Sequence, residues 1–186
     1  AQAAAGLCRV YMAVYPSAAM ILGKKAAGLF QALLGHLGEE NDVELHKSLS
    51  ATWHNIGEIA ENSGDLETAV SYFLESIHHS GEYYAATGNP DVLFDIVEDH
   101  HKAGKCFQRS GNYPEARKQE AHCLAVSLSQ VEAGFSKHKE APHWLPPLFE
   151  SIRAMVSYCA KMGDRETQEG YFNLLGQVGN QQMRQD

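Results

Sequence analysis

Hydrophobic residues recur along most of this chain at the spacing of amphipathic helices, with Gly and Pro interrupting the pattern. The clearest apolar stripe runs from Val43 to Ala60 and stops at Ser63-Gly64. A second stripe then runs from Leu66 to Ile77. No stretch of useful length alternates with the two-residue period of a strand. The pattern therefore predicts an all-α chain of about eight helices without a sheet.

Capping residues and helix breakers place the ends of these helices. Ser17 is the expected N-cap of the second helix, Asp65 caps the fourth, and Pro114 suits the first turn of the sixth. Residues 136–147 contain three prolines and are predicted to form a loop. The predicted helices cover about residues 2–15, 18–37 (ending at Gly38), 42–62, 66–87, 91–109, 114–135, 148–161 and 165–178.

One turn-centred phrase occurs three times. Its copies are Gly57…Ser63-Gly64-Asp65…Ala69…Phe73, then Gly104…Ser110-Gly111-Asn112…Ala116, and a weaker Met162-Gly163-Asp164…Phe172. A recurring helix-turn-helix unit indicates a stacked solenoid, and solenoids usually serve as binding surfaces rather than as catalysts.

These positions resemble the tetratricopeptide repeat (TPR), a pair of antiparallel helices with small and large residues at fixed places. The first copy matches best. The later copies depart from the motif at Glu120, Val156 and Gln168. The turn glycines lie 47 and 52 residues apart, more than the usual 34, which is similar to the long repeats of kinesin light chains and cell-polarity adaptors.

The resemblance implies a right-handed TPR-like α-solenoid of helical hairpins. Three regions are predicted: residues 1–40 as an N-terminal helical pair (a degenerate repeat or cap), residues 41–178 as three hairpins, and residues 179–186 as a polar tail. Small residues let paired helices approach, and Gly64, Gly111 and Gly163 are expected in the left-handed conformation that ends a helix.

In this motif the first helix of each pair lines a concave groove. The residues that the resemblance places there are His54, Asn55, His101, Lys102, Lys105, Arg109 and Arg153. Cations on this surface, in a chain of net charge -8, would suit an acidic peptide. The same residues also fit ordinary solvated helix faces. Tyr84 and Trp144 are candidates for either partner anchors or core residues.

Composition narrows the function further. The net charge of -8 argues against a general nucleic-acid binder. No uninterrupted apolar run reaches the length of about 18 residues that a membrane span needs. The four cysteines have no C-x-x-C spacing and are expected to be buried, reduced thiols. The chain starts with Ala, so either a leader was removed or the sequence begins inside a longer protein. We expect an intracellular protein, cytoplasmic or organellar after import.

The chain has ten histidines but few residue patterns that are typical of a metal site or an active site. Glu98 and His101 form one E-x-x-H pair, and no second copy completes a di-metal bundle. The neighbours His78 and His79 point about 100° apart on a helix, which disfavours a shared metal. No nucleophile motif or phosphate loop is present. We therefore predict no catalytic residue, metal or cofactor.

The predicted function is a non-catalytic protein–protein interaction module, an adaptor or scaffold that holds a partner peptide or helix in its groove. Two alternatives stay open. One is a structural subunit of a large, possibly organellar assembly. The other is a helical metal-dependent enzyme.

Overall fold

The computed structural model describes residues 2–12, 14–36, 39–136 and 142–182, and helices account for most of them. The helices are α1 (Gln2–Tyr11), α2 (Pro16–Leu33), α3 (Glu39–Asn62), α4 (Leu66–Thr87), α5 (Val92–Arg109), α6 (Tyr113–Ser136), α7 (Leu145–Met162) and α8 (Arg165–Gln182). A short 3-10 turn, Pro142–Trp144, precedes α7. No strand occurs in the described ranges, so the predicted all-α class is confirmed.

The junction of the first two helices differs from the prediction. α1 ends at Tyr11 rather than Tyr15. Tyr15 itself is not helical (φ -133°, ψ 67°), because the residue before a proline is disfavoured in helical conformation. α2 begins at Pro16, with Tyr15 as its N-cap residue and no side-chain cap. Ser17 therefore lies inside the first turn, and its prediction as an N-cap was wrong.

The predicted loop around residues 136–147 is shorter on both sides. α6 continues to Ser136, and α7 begins at Leu145 rather than Leu148. Pro146 and Pro147 lie in the first turn of α7, where a missing N–H breaks no hydrogen bond. α2 ends at Leu33 rather than near the predicted Leu37, because Leu34 has an extended conformation (φ -60°, ψ 130°). Gly38, residues 137–141 and tail residues 183–186 lie outside the described part, while α8 extends through residues 179–182.

The three copies of the turn phrase adopt one backbone geometry. Gly64, Gly111 and Gly163 have φ angles of 82°, 80° and 74°, which confirms the left-handed prediction. In each copy the next residue donates its N–H to the carbonyl five residues earlier, as in Asp65 N to Ala60 O at 3.0 Å. Each of these residues also accepts from the N–H three residues later, which caps the following helix. The repeat read from the sequence is thus a repeated turn in space.

The chain divides into two compact units, Ala1–Cys106 and Phe107–Asp186, with the division inside α5. In the first unit α1 packs on α2, α2 on α3, and α3 on α4. Phe30 of α2 and Leu49 of α3 share one buried cluster, so helices on both sides of residue 40 contribute to a common core. The predicted boundaries at residues 40 and 178 stay predictions.

Two glycines of the first unit are close-approach points. A Cβ built on Gly57 would lie 2.8 Å from the buried ring of Phe73, which confirms the packing role predicted for Gly57. A Cβ on Gly23 would lie 2.2 Å from Ile56 Cγ2 and 3.0 Å from Cys8 Sγ. Sequence reasoning missed Gly23, which lies outside the repeated phrase.

In the second unit α6 packs on α7 and α7 on α8. Arg117 Nη1 donates to Asp164 Oδ2 at 3.0 Å, which links α6 to the start of α8. Trp144 is buried and belongs to the core, whereas Phe172, the aromatic of the weakest repeat, is half exposed. Glu120 is fully buried at the position where the repeat pattern expects an aromatic residue.

All four cysteines are buried, as predicted, and none of them forms a disulfide. None of the helices in the described ranges is both long and apolar enough to cross a membrane.

Candidate functional site

The structure brings part of the predicted groove together in the first unit. His54 and Asn55 lie on α3, and His101, Lys102 and Lys105 lie on α5. Arg109 and Arg153 belong to the second unit, and both are exposed. That these side chains bind a partner stays a prediction.

Glu58 joins the two helices at the centre of this set. Its Oε1 lies 2.5 Å from Lys102 Nζ and 3.7 Å from His54 Nε2. Lys102 Nζ is also 3.7 Å from Glu98 Oε1 on its own helix. Burial alone would lower the pKa of Lys102, but the hydrogen bond to Glu58 and the charges of Glu58, Glu98 and Glu61 raise it. Lys102 is therefore a cation with its charge already matched, rather than an unpaired site for an acidic ligand.

His54 is held by a second carboxylate, that of Asp99. His54 Nδ1 donates to Asp99 Oδ1 at 2.6 Å, and the Asp99 side chain is 1% exposed. Burial alone would lower the pKa of His54, but Asp99, with smaller contributions from Glu58 and Glu98, raises it above its ordinary value. Because Nδ1 carries the proton of neutral His54, a second proton binds Nε2, which then faces the Glu58 carboxylate at 3.7 Å.

A cavity of about 260 Å³ opens beside this cluster, between α3, α4 and α5. Its lining is Lys47, Ser50, Ala51, His54, Asn55, Ser76, Ser80, Tyr83, Val92, Asp95, Glu98 and Asp99. The pKa of Asp95 is raised, first by burial and then by the neighbouring charges of Asp99 and Glu98. Two of the seven predicted groove residues, His54 and Asn55, line the cavity.

Sequence reasoning missed the role of Asp99. It considered Glu98 only as the partner of His101 in an E-x-x-H pair. The available signal was the acidic stripe of Asp95, Glu98 and Asp99, whose i, i+3, i+4 spacing places three carboxylates on one helix face. The contact between Asp99 and His54 depends on how α5 packs against α3, and the spacing of the three carboxylates does not predict this packing.

Two carboxylates of this site, Glu58 and Glu98, are also candidate metal ligands together with His54. Among the described residues, ligand atoms of His54, Glu58 and Glu98 lie within 4.8 Å of one another. The E-x-x-H partner considered from the sequence, His101, is not part of this group. The ammonium of Lys102 pairs with both carboxylates, so a metal ion would have to displace it.

A separate histidine pair links α3 and α4. His46 Nδ1 and His79 Nδ1 lie 2.9 Å apart, so one nitrogen carries the proton and the other accepts it. His79 is 4% exposed, and its Nε2 is buried with no hydrogen-bond partner in the described part of the chain. Burial, together with the charges of His46 and His78, lowers the pKa of His79 to about 4.

We expect this pair to make stability depend on pH. The unfolded chain protonates His79 near pH 6.5 while the folded chain resists to about pH 4, so stability falls as pH drops through this window. The loss should approach about 3 kcal/mol. His54, whose pKa is raised, acts oppositely: its contribution is present below pH 6.5 and is lost as pH rises through its folded value.

Comparing the wild type with His79→Leu isolates the first effect, because His54 is common to both proteins. Urea unfolding at pH 7, 6, 5 and 4 should show the wild type losing stability relative to the variant as pH falls. An equal difference between the two proteins at every pH would contradict the assignment.

Comparison with known proteins adds a structural likeness. No protein-family model matches this chain, and neither does any curated protein. It is similar to the crystal structure of the nearly identical TPR-like repeats of a kinesin-light-chain-like protein from Podospora anserina, at 14% identity and a TM-score of 0.49. A variant of that protein gives a TM-score of 0.37, again at 14% identity. Each comparison covers 98% of this chain and 96% of the other.

Both neighbours are TPR-like repeat proteins, the class that the sequence resembles. At these scores the likeness carries no conclusion about function. The fold assignment rests on the helices, their repeated turns and the Gly57–Phe73 contact.

Proposed function

We propose that this chain is a non-catalytic protein–protein interaction module, and that a partner segment docks on the first unit at the mouth of the cavity between α3, α4 and α5. The observation that carries the proposal is this cavity, which opens among polar side chains on rigid helices. Preformed helices hold their donors and acceptors in place, so a partner segment binds without first ordering the site.

The thiols support a non-catalytic role. Burial raises the pKa of the Cys8 and Cys123 thiols, which disfavours the thiolate form that a nucleophile needs. His54 and Glu58 of α3 pair with Asp99 and Lys102 of α5, and these ion pairs fix one helix to the other. His54 and Asn55, which line the cavity, make the first partner contacts, and His101 and Lys105 of the same unit follow.

The charge of the partner is a separate part of the proposal. An acidic partner, as predicted, would meet Arg109 and Arg153 on exposed surface of the second unit. At the cavity the balance is reversed, since Asp95, Glu98 and Asp99 outnumber the cationic groups of the lining. The favoured partner segment therefore carries at least one basic group where it meets the first unit.

Blocking the cavity mouth tests the proposal. Ala51 lines the cavity and is exposed, so Ala51→Trp fills the mouth without breaking an ion pair. Ala85 is exposed on α4 outside the lining, and Ala85→Trp is the matched control for adding a surface indole. Affinity capture from native cells with mass spectrometry should recover a set of proteins with the wild type and Ala85→Trp that Ala51→Trp loses. Charge reversal at Lys102 is a poorer test because it would break two ion pairs of the fold.

A second candidate function, a permanent subunit of a larger assembly, is favoured by the surface of α1 and α2. Val10 and Ile21 are 67% and 68% exposed, and Leu7 is also exposed. Large apolar side chains grouped on a surface commonly mark a contact with another protein. If the wild type, Ala51→Trp and Ala85→Trp all stay in the same large particle in the capture experiment, this second function replaces docking at the cavity.

A further inference from the structure

The cavity of the first unit contains an unsatisfied buried carboxylate oxygen. Asp99 lines the cavity and is 1% exposed. Its Oδ1 accepts from His54, but its Oδ2 is buried without a hydrogen-bond partner among the described residues. A buried carboxylate oxygen without a donor is costly, and such groups in native proteins are normally satisfied by protein, water or ligand.

The rest of the polar lining does not supply that donor. Ser76 Oγ donates to the Ser50 carbonyl oxygen at 3.0 Å, and the hydroxyl oxygens of Ser50 and Ser80 lie 2.6 Å apart. These hydroxyls therefore satisfy one another across α3 and α4. Since none of the described residues donates to Asp99 Oδ2, a water molecule or a ligand has room to supply that donor.

The charges around the cavity favour a positively charged donor. Asp95 and Glu98 lie on the same helix face as Asp99, and the raised pKa of Asp95, due first to burial and then to these two carboxylates, reflects a negative potential there. Lys47 also lines the cavity, but its Nζ lies over the ring of Tyr83, 5.6 Å from the centroid.

The volume of the cavity and the neighbouring ion pairs of Lys102 restrict the chemistry of the donor further. At about 260 Å³ the cavity falls just below the range of about 300 to 1,000 Å³ for drug-sized ligands, so it suits a small group or one side chain. The chain already presents an ammonium to the adjoining carboxylates, since Lys102 pairs with Glu58 and Glu98.

We propose that the cavity binds a primary alkylammonium group, whose N–H donors reach Asp99 Oδ2 and the carboxylate of Asp95. The group is either a lysine side chain of a docked protein segment or a small free amine. If the ligand is a lysine side chain, the inference rests on the proposed function. If the ligand is a free amine, the inference is independent of that function.

The test titrates the whole chain with n-butylammonium chloride and follows the amide NMR signals of the cavity lining. n-Pentanol is the neutral control of similar shape, and sodium chloride controls for ionic strength. We expect saturable shifts around Ser50, Ser76 and Asp99 with butylammonium only. No saturable shift, or equal binding of pentanol, would overturn the proposal. A response to zinc chloride at His54, Glu58 and Glu98 without a response to butylammonium would also overturn it, in favour of a metal site.

Variants identify the carboxylates involved. Asp99→Asn keeps an acceptor for His54 but loses the charge, and it should weaken butylammonium binding about tenfold or more. If this variant does not fold, Asp95→Asn is the substitute, with an expected loss of about threefold. Glu67→Gln, on the exposed first turn of α4, removes a charge outside the lining and should change nothing. Unchanged binding in both aspartate variants would refute the assignment.

A last comparison separates the two sources of the ammonium. A short blocked peptide with one lysine, and the same peptide with acetyl-lysine, compete against butylammonium. Competition by the lysine peptide alone identifies a protein side chain as the ligand. If butylammonium binds and neither peptide competes, the ligand is a free amine, and docking at the cavity mouth is then judged by the Ala51→Trp capture alone.

Discussion

Replacing Gly23 with alanine is expected to lower the free energy of unfolding of the first unit by about 3 kcal/mol. The new Cβ would lie 2.2 Å from Ile56 Cγ2, and both Ile56 and Cys8 are fully buried, so α2 and α3 would have to separate. A β-branched side chain in a helix has one strongly preferred rotamer, so Ile56 cannot simply turn away. Urea unfolding, followed by a probe in the first unit, measures the loss.

Gly28→Ala is the matched control for this substitution. It lies in the same helix with nothing within 4 Å of its added Cβ, and alanine there should stabilise the helix by about 0.5 to 1 kcal/mol. Ile56→Leu removes the clashing methyl at nearly constant volume, so Gly23→Ala should cost less in that background. An equal cost in both backgrounds would show that the Gly23–Ile56 contact is not the cause.

Replacing Gly57 with alanine should destabilise the same unit by about 1 to 3 kcal/mol. The added Cβ would lie 2.8 Å and 2.9 Å from two carbons of the Phe73 ring, which is fully buried. The ring cannot retreat freely, because His54 packs against it with ring centroids 6.1 Å apart, and Lys102 Nζ lies 6.0 Å from its centroid.

Gly81→Ala on α4 is the control, since nothing lies within 4 Å of its Cβ and the substitution should stabilise slightly. The chain has two tryptophans: Trp53 lies in the first unit and Trp144 in the second. Fluorine NMR of fluorotryptophan-labelled protein therefore follows each unit separately during urea unfolding. If Gly57→Ala and Gly81→Ala shift the Trp53 transition by the same amount, the close-packing explanation for Gly57 fails.

Much of this fold was predictable from the sequence because its signals are local. Apolar spacing and capping residues depend on neighbours within a few positions, and they predicted eight helices and the three repeated turns at Gly64, Gly111 and Gly163. The errors came where local rules compete. At Pro16 the ring can end one helix or begin the next, and at Pro146-Pro147 two prolines resemble a loop although both fit a first turn.

The site was less predictable because its contacts join residues far apart in the chain. His54 meets Asp99 across 45 positions, and Glu58 meets Lys102 across 44. Aligning the repeat motif with the sequence placed Lys102 on the correct helix. The motif does not predict which side chain Lys102 contacts. For the same reason the predicted groove cation Lys102 proved to be paired with Glu58 and Glu98, and the excess charge of the cavity lining is negative.

The buried thiols give each part of the molecule its own chemical reporter. Cys8 and Cys106 lie in the first unit, and Cys123 and Cys159 lie in the second. A maleimide reaches such a sulfur only while the surrounding helices are transiently apart. The labelling rate at each cysteine therefore measures how often the helices around that cysteine open locally, without any engineered tag.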